Sequence, residues 1–286
     1  MISYGAVEMG GTKTDISVGT NPDDMSEPFR VATTEPDETL GAIIDYFAEH
    51  EVAAVGMASF GPLELDPASP KYGAMLFTPK PGWSGTPIFR RLNEGLGVPL
   101  VLDTDVNGAA RGEGRWGAAQ GMSDYTYVTV GTGIGAGIVI RGEPLGGEHH
   151  PEAGHILVSR HPDDSHGGSC PFHGDCLEGM AAGPALEARF GRPETWAGND
   201  RVLDLVVHYL AQGMVNLAYT AAPERIVVGG GVSKLPGFHD RLRDRVGGVL
   251  AGYPETRDLE LLISPPGLGD RSGLAGALLL AASGTG

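Results

Sequence analysis

Tyr4-Gly-Ala-Val-Glu-Met-Gly-Gly-Thr-Lys-Thr-Asp-Ile-Ser-Val-Gly19 reads as strand, glycine turn, strand, because β-branched and apolar residues flank a glycine pair. The pattern returns at Tyr125-Thr-Tyr-Val-Thr-Val-Gly-Thr-Gly-Ile-Gly-Ala-Gly-Ile-Val-Ile140. Aligning Gly10 with Gly131 gives an offset of 121 residues, so the chain reads as two related halves, each opening on a hairpin with a glycine-rich turn. Two lobes sharing a cleft are expected from such a duplication.

Between the hairpins, residues 38–50 are amphipathic, 53–58 read as a buried strand and 60–87 as a Pro/Gly-rich loop. Residues 88–96 read as helix, and 99–103 as a short buried strand that enters another helix at about Val106. The second half continues with a loop over 142–176, a long helix over 200–222 and a strand over 225–228. That strand leads through Gly229-Gly230-Gly231 into a helix, and Leu268-Gly-Asp-Arg-Ser-Gly-Leu-Ala-Gly-Ala opens the last one. Alternating strands and helices predict an α/β architecture. The expected division is a small lobe over 1–110, joined by the C-terminal helix 270–286, and a large lobe over 111–269 that carries the loop 155–176.

At 286 residues and 41% hydrophobic content, each lobe has enough apolar material for its own core. The formal charge of −16, from 36 acidic and 20 basic residues, argues against a general nucleic-acid or anionic-membrane surface. An anionic ligand would have to be held by local backbone amides and one or two placed cations. The longest apolar stretch, 274–282, falls short of a membrane span, and the N-terminus lacks a charged region followed by an apolar one. A cytoplasmic protein is expected. The two cysteines, Cys170 and Cys176, stand six residues apart in a loop, a spacing that in a reducing compartment suggests metal more than disulfide.

Three glycine-rich turns stand at strand ends: Gly10-Gly11-Thr12-Lys13, Gly131-Thr132-Gly133 and Gly229-Gly230-Gly231. Glycine lets backbone amides approach phosphate oxygens, and Thr12 and Thr132 add hydroxyl donors. A single such turn is more often only a tight hairpin; three of them, with Lys13 beside the first, point to phosphate. None matches the Walker pattern, and the Gly131 turn lies between two strands where a dinucleotide turn would open a helix.

Leu102-Asp103-Thr104-Asp105-Val106-Asn107 places two carboxylates at a strand-to-helix junction. One could accept the proton of a substrate hydroxyl, and one could merely cap the helix; two aspartates leave room for both roles. Six of the nine histidines fall between His149 and His173, where even spreading would put fewer than one. His155 with Cys170, His173 and Cys176 suits tetrahedral zinc in a structural site, the alternative being reduced cysteines and surface histidines. Glu152 and Glu178 flank this knot and could accept bonds from sugar hydroxyls, although exposed loop glutamates are more often only solubilising.

Taken in order, these motifs resemble the ROK family of sugar kinases and repressors, and in detail its zinc-containing fructokinase branch, over essentially the whole chain. Glu8-Met-Gly-Gly-Thr-Lys13 looks like the first phosphate motif, Asp103-Thr-Asp-Val-Asn107 the catalytic segment, Gly131 to Gly135 the second phosphate motif and Gly229 to Val232 the adenosine-side glycines. The resemblance implies an actin-like, ribonuclease-H-like two-lobe ATPase fold with ATP and Mg²⁺ in the cleft, a structural Zn²⁺ and a homodimer. It implies Asp105 as general base, and Thr104, Asn107, Glu152, His155 and Glu178 on the sugar side, with His155 also on zinc. Ala58-Ser-Phe-Gly-Pro62 and Thr78-Pro-Lys-Pro-Gly-Trp83 look like fructokinase-branch loops.

Three features depart from the general family pattern. Thr104 stands where glucose and N-acetylmannosamine kinases usually carry Asn, the metal trio reads Cys, His, Cys where three cysteines are commoner, and Glu8 replaces the usual Asp. All are shared with the fructokinase branch. The implied activity is therefore formation of fructose 6-phosphate, with kinase of mannose, glucose or N-acetylmannosamine as the alternative and a sugar-sensing binding protein as the non-enzyme alternative. The family's repressors need an N-terminal DNA-binding domain, and here nine residues precede Gly10.

Overall fold

The computed structural model describes residues 3–147, 149–253, 255 and 258–285. The chain folds as two compact units: Met1–Gln120 with Gly146–His150 and Gly267–Gly286, and Gly121–Leu145 with Pro151–Pro266.

The first unit contains β1 (Tyr4–Met9), β2 (Lys13–Gly19), β3 (Phe29–Ala32), α1 (Pro36–Ala48), β4 (Val55–Ser59), α2 (Ile88–Leu96), β5 (Leu100–Thr104) and α3 (Asp105–Trp116). Its sheet runs β3-β2-β1-β4-β5, with β1 antiparallel to β2 and parallel to β4. Side chains alternate across the strands, so Val7, Met9, Ile16 and Met57 enter one core with Leu40, Ile43, Ile88 and Leu92 of α1 and α2. Trp83, fully buried, pins the long loop into this core, and its Nε1 donates to Thr34 O at 2.7 Å. A lobe boundary near residue 110 would cut α3 in two; the chain leaves the unit after Gln120.

The second unit contains β6 (Tyr125–Val130), β7 (Ile134–Ile140), β8 (Glu143–Pro144), α4 (Leu177–Ala181), α5 (Gly183–Phe190), α6 (Asp200–Ala221), β9 (Arg225–Gly229), α7 (Phe238–Leu250), α8 (Leu259–Leu262) and β10 (Ile263–Ser264). Its sheet order, β10-β9-β6-β7-β8, repeats the first: an antiparallel hairpin at one edge and parallel strands at the other. The core is built on α6, which buries Val202, Val206, Tyr209, Leu210 and Met214 at helical spacing. Asn199 starts that helix, its Oδ1 accepting from the amides of Arg201 and Val202 at 3.1 and 3.4 Å.

The chain then returns to the first unit as α9 (Ser272–Ser283). This helix covers the second face of the first sheet, where Ala6, Gly56 and Ala58 are small enough to admit it. It also crosses α3 backbone to backbone, because a Cβ on Gly276 would stand 1.7 Å from Gly108 O. No helix among the described residues is long and apolar enough to cross a membrane.

Glu113 of α3 is wholly buried and ties this corner together. Its Oε2 accepts from the amides of Ala118 (2.6 Å) and Gly267 (2.8 Å), and its Oε1 from the Leu268 amide (3.1 Å) and Ser272 Oγ (2.6 Å). Glu113→Ala would strand several buried donors at once and is expected to cost roughly 3 to 5 kcal/mol. Urea unfolding reads this directly, and a loss below about 1 kcal/mol would mean that water replaces the carboxylate.

Candidate active site

In the first unit the β1–β2 turn presents Gly10 and Gly11 half-buried and Thr12 and Lys13 exposed. A Cβ at Gly11 would meet nothing within 4 Å, so the turn's backbone is open on that side. Lys13 Nζ donates to Asp15 Oδ2 at 2.7 Å, and Arg30 holds the same carboxylate through Nε (2.6 Å) and Nη2 (2.9 Å). Burial works against the Asp15 charge, but these bonds outweigh it and keep the carboxyl below its ordinary range.

Glu8 is one register step away, opposite Asp15 on β2. Its Oε2 is shielded from solvent and has no hydrogen-bond partner among the described residues. Burial raises its carboxyl from the ordinary 4.5 to about 7; Lys13 offsets part of the rise, and the charges of Asp105 and Asp15 add to it. The folded value lies above the unfolded one, so Glu8's contribution to stability is fully present below about 4.5 and is lost as pH climbs through about 7. In metal-free protein, the stability of wild type relative to Glu8→Gln is expected to fall by roughly 3 kcal/mol from pH 4.5 to 8. Denaturant midpoints measured on both proteins across that range would contradict this by keeping a constant difference.

The β5–α3 junction separates the two aspartates. Asp103 is buried, and its Oδ1 accepts from the Thr104 amide (2.8 Å) and Asn107 Nδ2 (2.7 Å), with Arg111 Nε 3.4 Å from Oδ2. Thr104 is the helix N-cap: its Oγ1 accepts from the Asn107 amide at 3.2 Å. Asp105 is the half-buried member, at the first helical position, with Oδ1 accepting from the Val106 amide at 2.8 Å. Thr104 and Asn107, expected on the sugar side, are only 2% and 5% exposed. They lie inside the junction, where their hydrogen bonds brace the backbone on either side of Asp105.

In the second unit the β6–β7 turn carries Gly131, Thr132 and Gly133. Glu178 reaches this turn from α4, its Oε2 accepting from the Ile134 amide at 2.9 Å, and Gly183 N donates to Gly131 O at 2.7 Å. Glu152 is exposed, just ahead of a single 3₁₀ turn, Ala153–His155. That turn packs on β7 because position 154 is glycine: a Cβ there would lie 1.9 Å from Ile134 O. Gly229 closes β9, Gly230 follows at φ 91°, and Gly231 precedes a 3₁₀ turn, Val232–Lys234.

His155, Cys170, His173 and Cys176 come together, with ligand atoms all within 4.8 Å of one another. His155 Nδ1 is 3.6 Å from both Cys170 Sγ and Cys176 Sγ, and His173 Nδ1 is 3.8 Å from Cys170 Sγ. A tetrahedron with bonds of about 2.3 Å to sulfur and about 2.1 Å to nitrogen has edges of about 3.6 Å, so the donor set fits zinc. Burial, with Cys170 adding, pushes the Cys176 thiol up to about 11, the cost that a cation at the centre would reverse. His150 lies outside this group, in the first unit, where its Nε2 accepts from the Leu63 amide at 3.3 Å.

Two elements escape a reading of the sequence. Asp15 and Arg30 carry no motif signal, since they meet only through strand register. Asp164 anchors the 155–176 loop a second time, its Oδ2 accepting from Tyr209 OH (2.7 Å) and pairing with half-buried Arg189 Nη1 (2.6 Å).

The model of the ROK family matches residues 4–283. A fructokinase of Pediococcus pentosaceus is 41% identical over 282 residues, covering 97% of this chain and 96% of its own. A fructokinase of Zymomonas mobilis is 42% identical over 288 residues, with 97% and 96% covered. Among solved structures, a ROK family glucokinase from Streptomyces griseus in complex with glucose and AMPPNP aligns with a TM-score of 0.80 at 26% identity, over 99% of this chain and 100% of that one. A ROK family transcriptional regulator shares the fold, with a TM-score of 0.72 at 16% identity over 97% of this chain and 77% of its own. With its two hairpin-led α/β units and near full-length relatives, the chain belongs to the ROK family and has its actin-like fold.

Proposed function

We propose that the protein is an ATP-dependent fructokinase of the cytoplasm, working as a homodimer, that transfers the γ-phosphoryl group of ATP to the C6 hydroxyl of fructose. The observation that carries this reading is identity of 41% and 42% with two fructokinases along nearly the whole chain.

Phosphoryl transfer needs alignment and charge neutralisation more than covalent help. The amides of the Gly10 and Gly131 turns, with Thr12, Thr132 and Lys13, bind the phosphates, and Gly229 to Gly231 lie on the adenosine side. Mg²⁺ bound with the nucleotide would supply neutralisation of the phosphate charge, with Glu8, whose Oε2 is buried and lacks a hydrogen-bond partner among the described residues, as its outer-sphere partner. Asp105 accepts the C6 hydroxyl proton as that oxygen attacks the γ-phosphorus in line; the bond to the bridging oxygen breaks and ADP leaves. Thr104, Asn107 and Asp103 hold Asp105 in place. Glu152, Glu178 and His155 Nε2 bind sugar hydroxyls, and a structural Zn²⁺ would be held by His155 Nδ1, Cys170, His173 and Cys176.

The test is ADP formation with Mg-ATP and a panel of fructose, mannose, glucose and N-acetylmannosamine, compared as kcat/KM. A clear preference for fructose supports the reading. Turnover confined to another sugar keeps the mechanism and removes the substrate, and no turnover on any sugar favours a sugar-binding protein.

A further inference from the structure

Glu8, Asp15 and Arg30 are successive register partners across β1, β2 and β3, so their side chains share one face of the sheet. Lys13 lies on that face too, two residues before Asp15. The Asp15 carboxylate, its side chain only 5% exposed, is bound by both cations: Lys13 Nζ and Arg30 Nη2 bond the same Oδ2, and Arg30 Nε takes Oδ1. An ammonium and a guanidinium therefore stand side by side next to the Gly10 turn, while their own side chains remain 49% and 59% exposed.

A surface ion pair contributes little to stability, and one carboxylate leaves this trio with a net positive charge. The chain as a whole carries −16, so an approaching anion meets attraction only where cations are placed locally. The two bonds to Asp15 occupy one edge of the guanidinium and leave N–H donors of a planar fork that matches phosphate oxygens. The charges of Asp270 and Glu8 also act on this guanidinium and offset the excess, so the pull on an anion rests on the directed N–H donors of the two cations.

We infer that Arg30 is a second phosphate-binding cation, held beside Lys13 by Asp15, and that the two together grip the polyphosphate chain of the nucleotide. This rests on the kinase reading for its physiological ligand. No motif contains Arg30, because residue 30 follows the glycine turn by an entire strand and loop, and only cross-strand pairing brings it back.

The experiment compares wild type, Arg30→Ala, Arg30→Lys and Asp15→Asn in two measurements. Calorimetric binding of inorganic tripolyphosphate reads the phosphate site without any turnover, and steady-state kinetics with ATP and fructose gives the two KM values separately. Arg30→Ala is expected to weaken tripolyphosphate binding and raise KM for ATP roughly ten- to hundred-fold, with KM for fructose and Tm nearly unchanged and partial recovery in Arg30→Lys. Unchanged tripolyphosphate affinity overturns the inference, as does a fall in Tm accompanied by equal rises in both KM values, which would make the pair a strand clamp only. A wild-type protein that binds tripolyphosphate through Arg30 but phosphorylates no sugar removes the kinase reading and leaves this one standing.

Discussion

Asp105→Asn is expected to lower kcat for sugar phosphorylation by roughly 10³-fold, within the range usual for losing a general base. The amide has the carboxylate's shape and its oxygen can still accept from the Val106 amide, so the start of α3 should persist. What disappears is the ability to take the hydroxyl proton as the oxygen attacks phosphorus. Sugar affinity, read by calorimetry, is expected to stay within about threefold of wild type, because a neutral amide still accepts hydrogen bonds. Asp103→Asn is the informative companion. Asp103 is buried among Thr104, Asn107 and Arg111, so its substitution should lower stability together with activity. Turnover of Asp105→Asn within tenfold of wild type would remove Asp105 from the role of base.

Cys176→Ser is expected to abolish stoichiometric zinc binding, measured by elemental analysis, and to destabilise the second unit by several kcal/mol. Isolated zinc-binding peptides gain about 10–16 kcal/mol from the metal. The loss here should be smaller, because the loop has a second anchor in the Asp164, Arg189 and Tyr209 group, whose Arg189 and Asp164 side chains are 9% and 3% exposed. Cys176 is wholly buried directly before α4, and Glu178 follows it by two residues, so losing the metal should disturb the carboxylate that bonds the Ile134 amide. KM for the sugar is then expected to rise more than KM for ATP. Wild-type protein stripped by a chelator should behave in the same way and recover on adding Zn²⁺. Metal-free protein with full stability and unchanged kinetics would show that the four side chains meet for another reason.

Much of the fold is legible in the chain because its signals are local. Glycine between two alternating runs gives the hairpins β1–β2 and β6–β7, and an apolar stripe at helical spacing gives α2 over Ile88–Leu96 and most of α6. Strand β3 escapes because Phe29–Ala32 is an exposed edge whose only reason to be extended is its ladder with β2. The helices α4 and α5 escape because they are short and interrupted by glycine, and packing under α6 makes them helical. The start of the last helix is misread by four residues, since Leu268 and Gly269 serve as partners of the Glu113 corner and its 3₁₀ turn.

The same division runs through the site. Composition and spacing alone single out the Cys/His knot, because four soft or borderline donors within 22 residues have few other uses, and they single out the glycine turns and the pair of aspartates. Which aspartate is buried and which half-buried, and that Thr104 and Asn107 lie inside the junction, are decided by burial and bond partners that the string of residues does not contain. The row Arg30, Asp15, Glu8, Ala58 and Asp103 is likewise a product of tertiary structure. Five strands spread over residues 4–104 place these residues side by side through register. Local propensity and chemical type are written in the chain; charge coupling and burial depend on distances through space, which only the assembled sheet and its covering helices define.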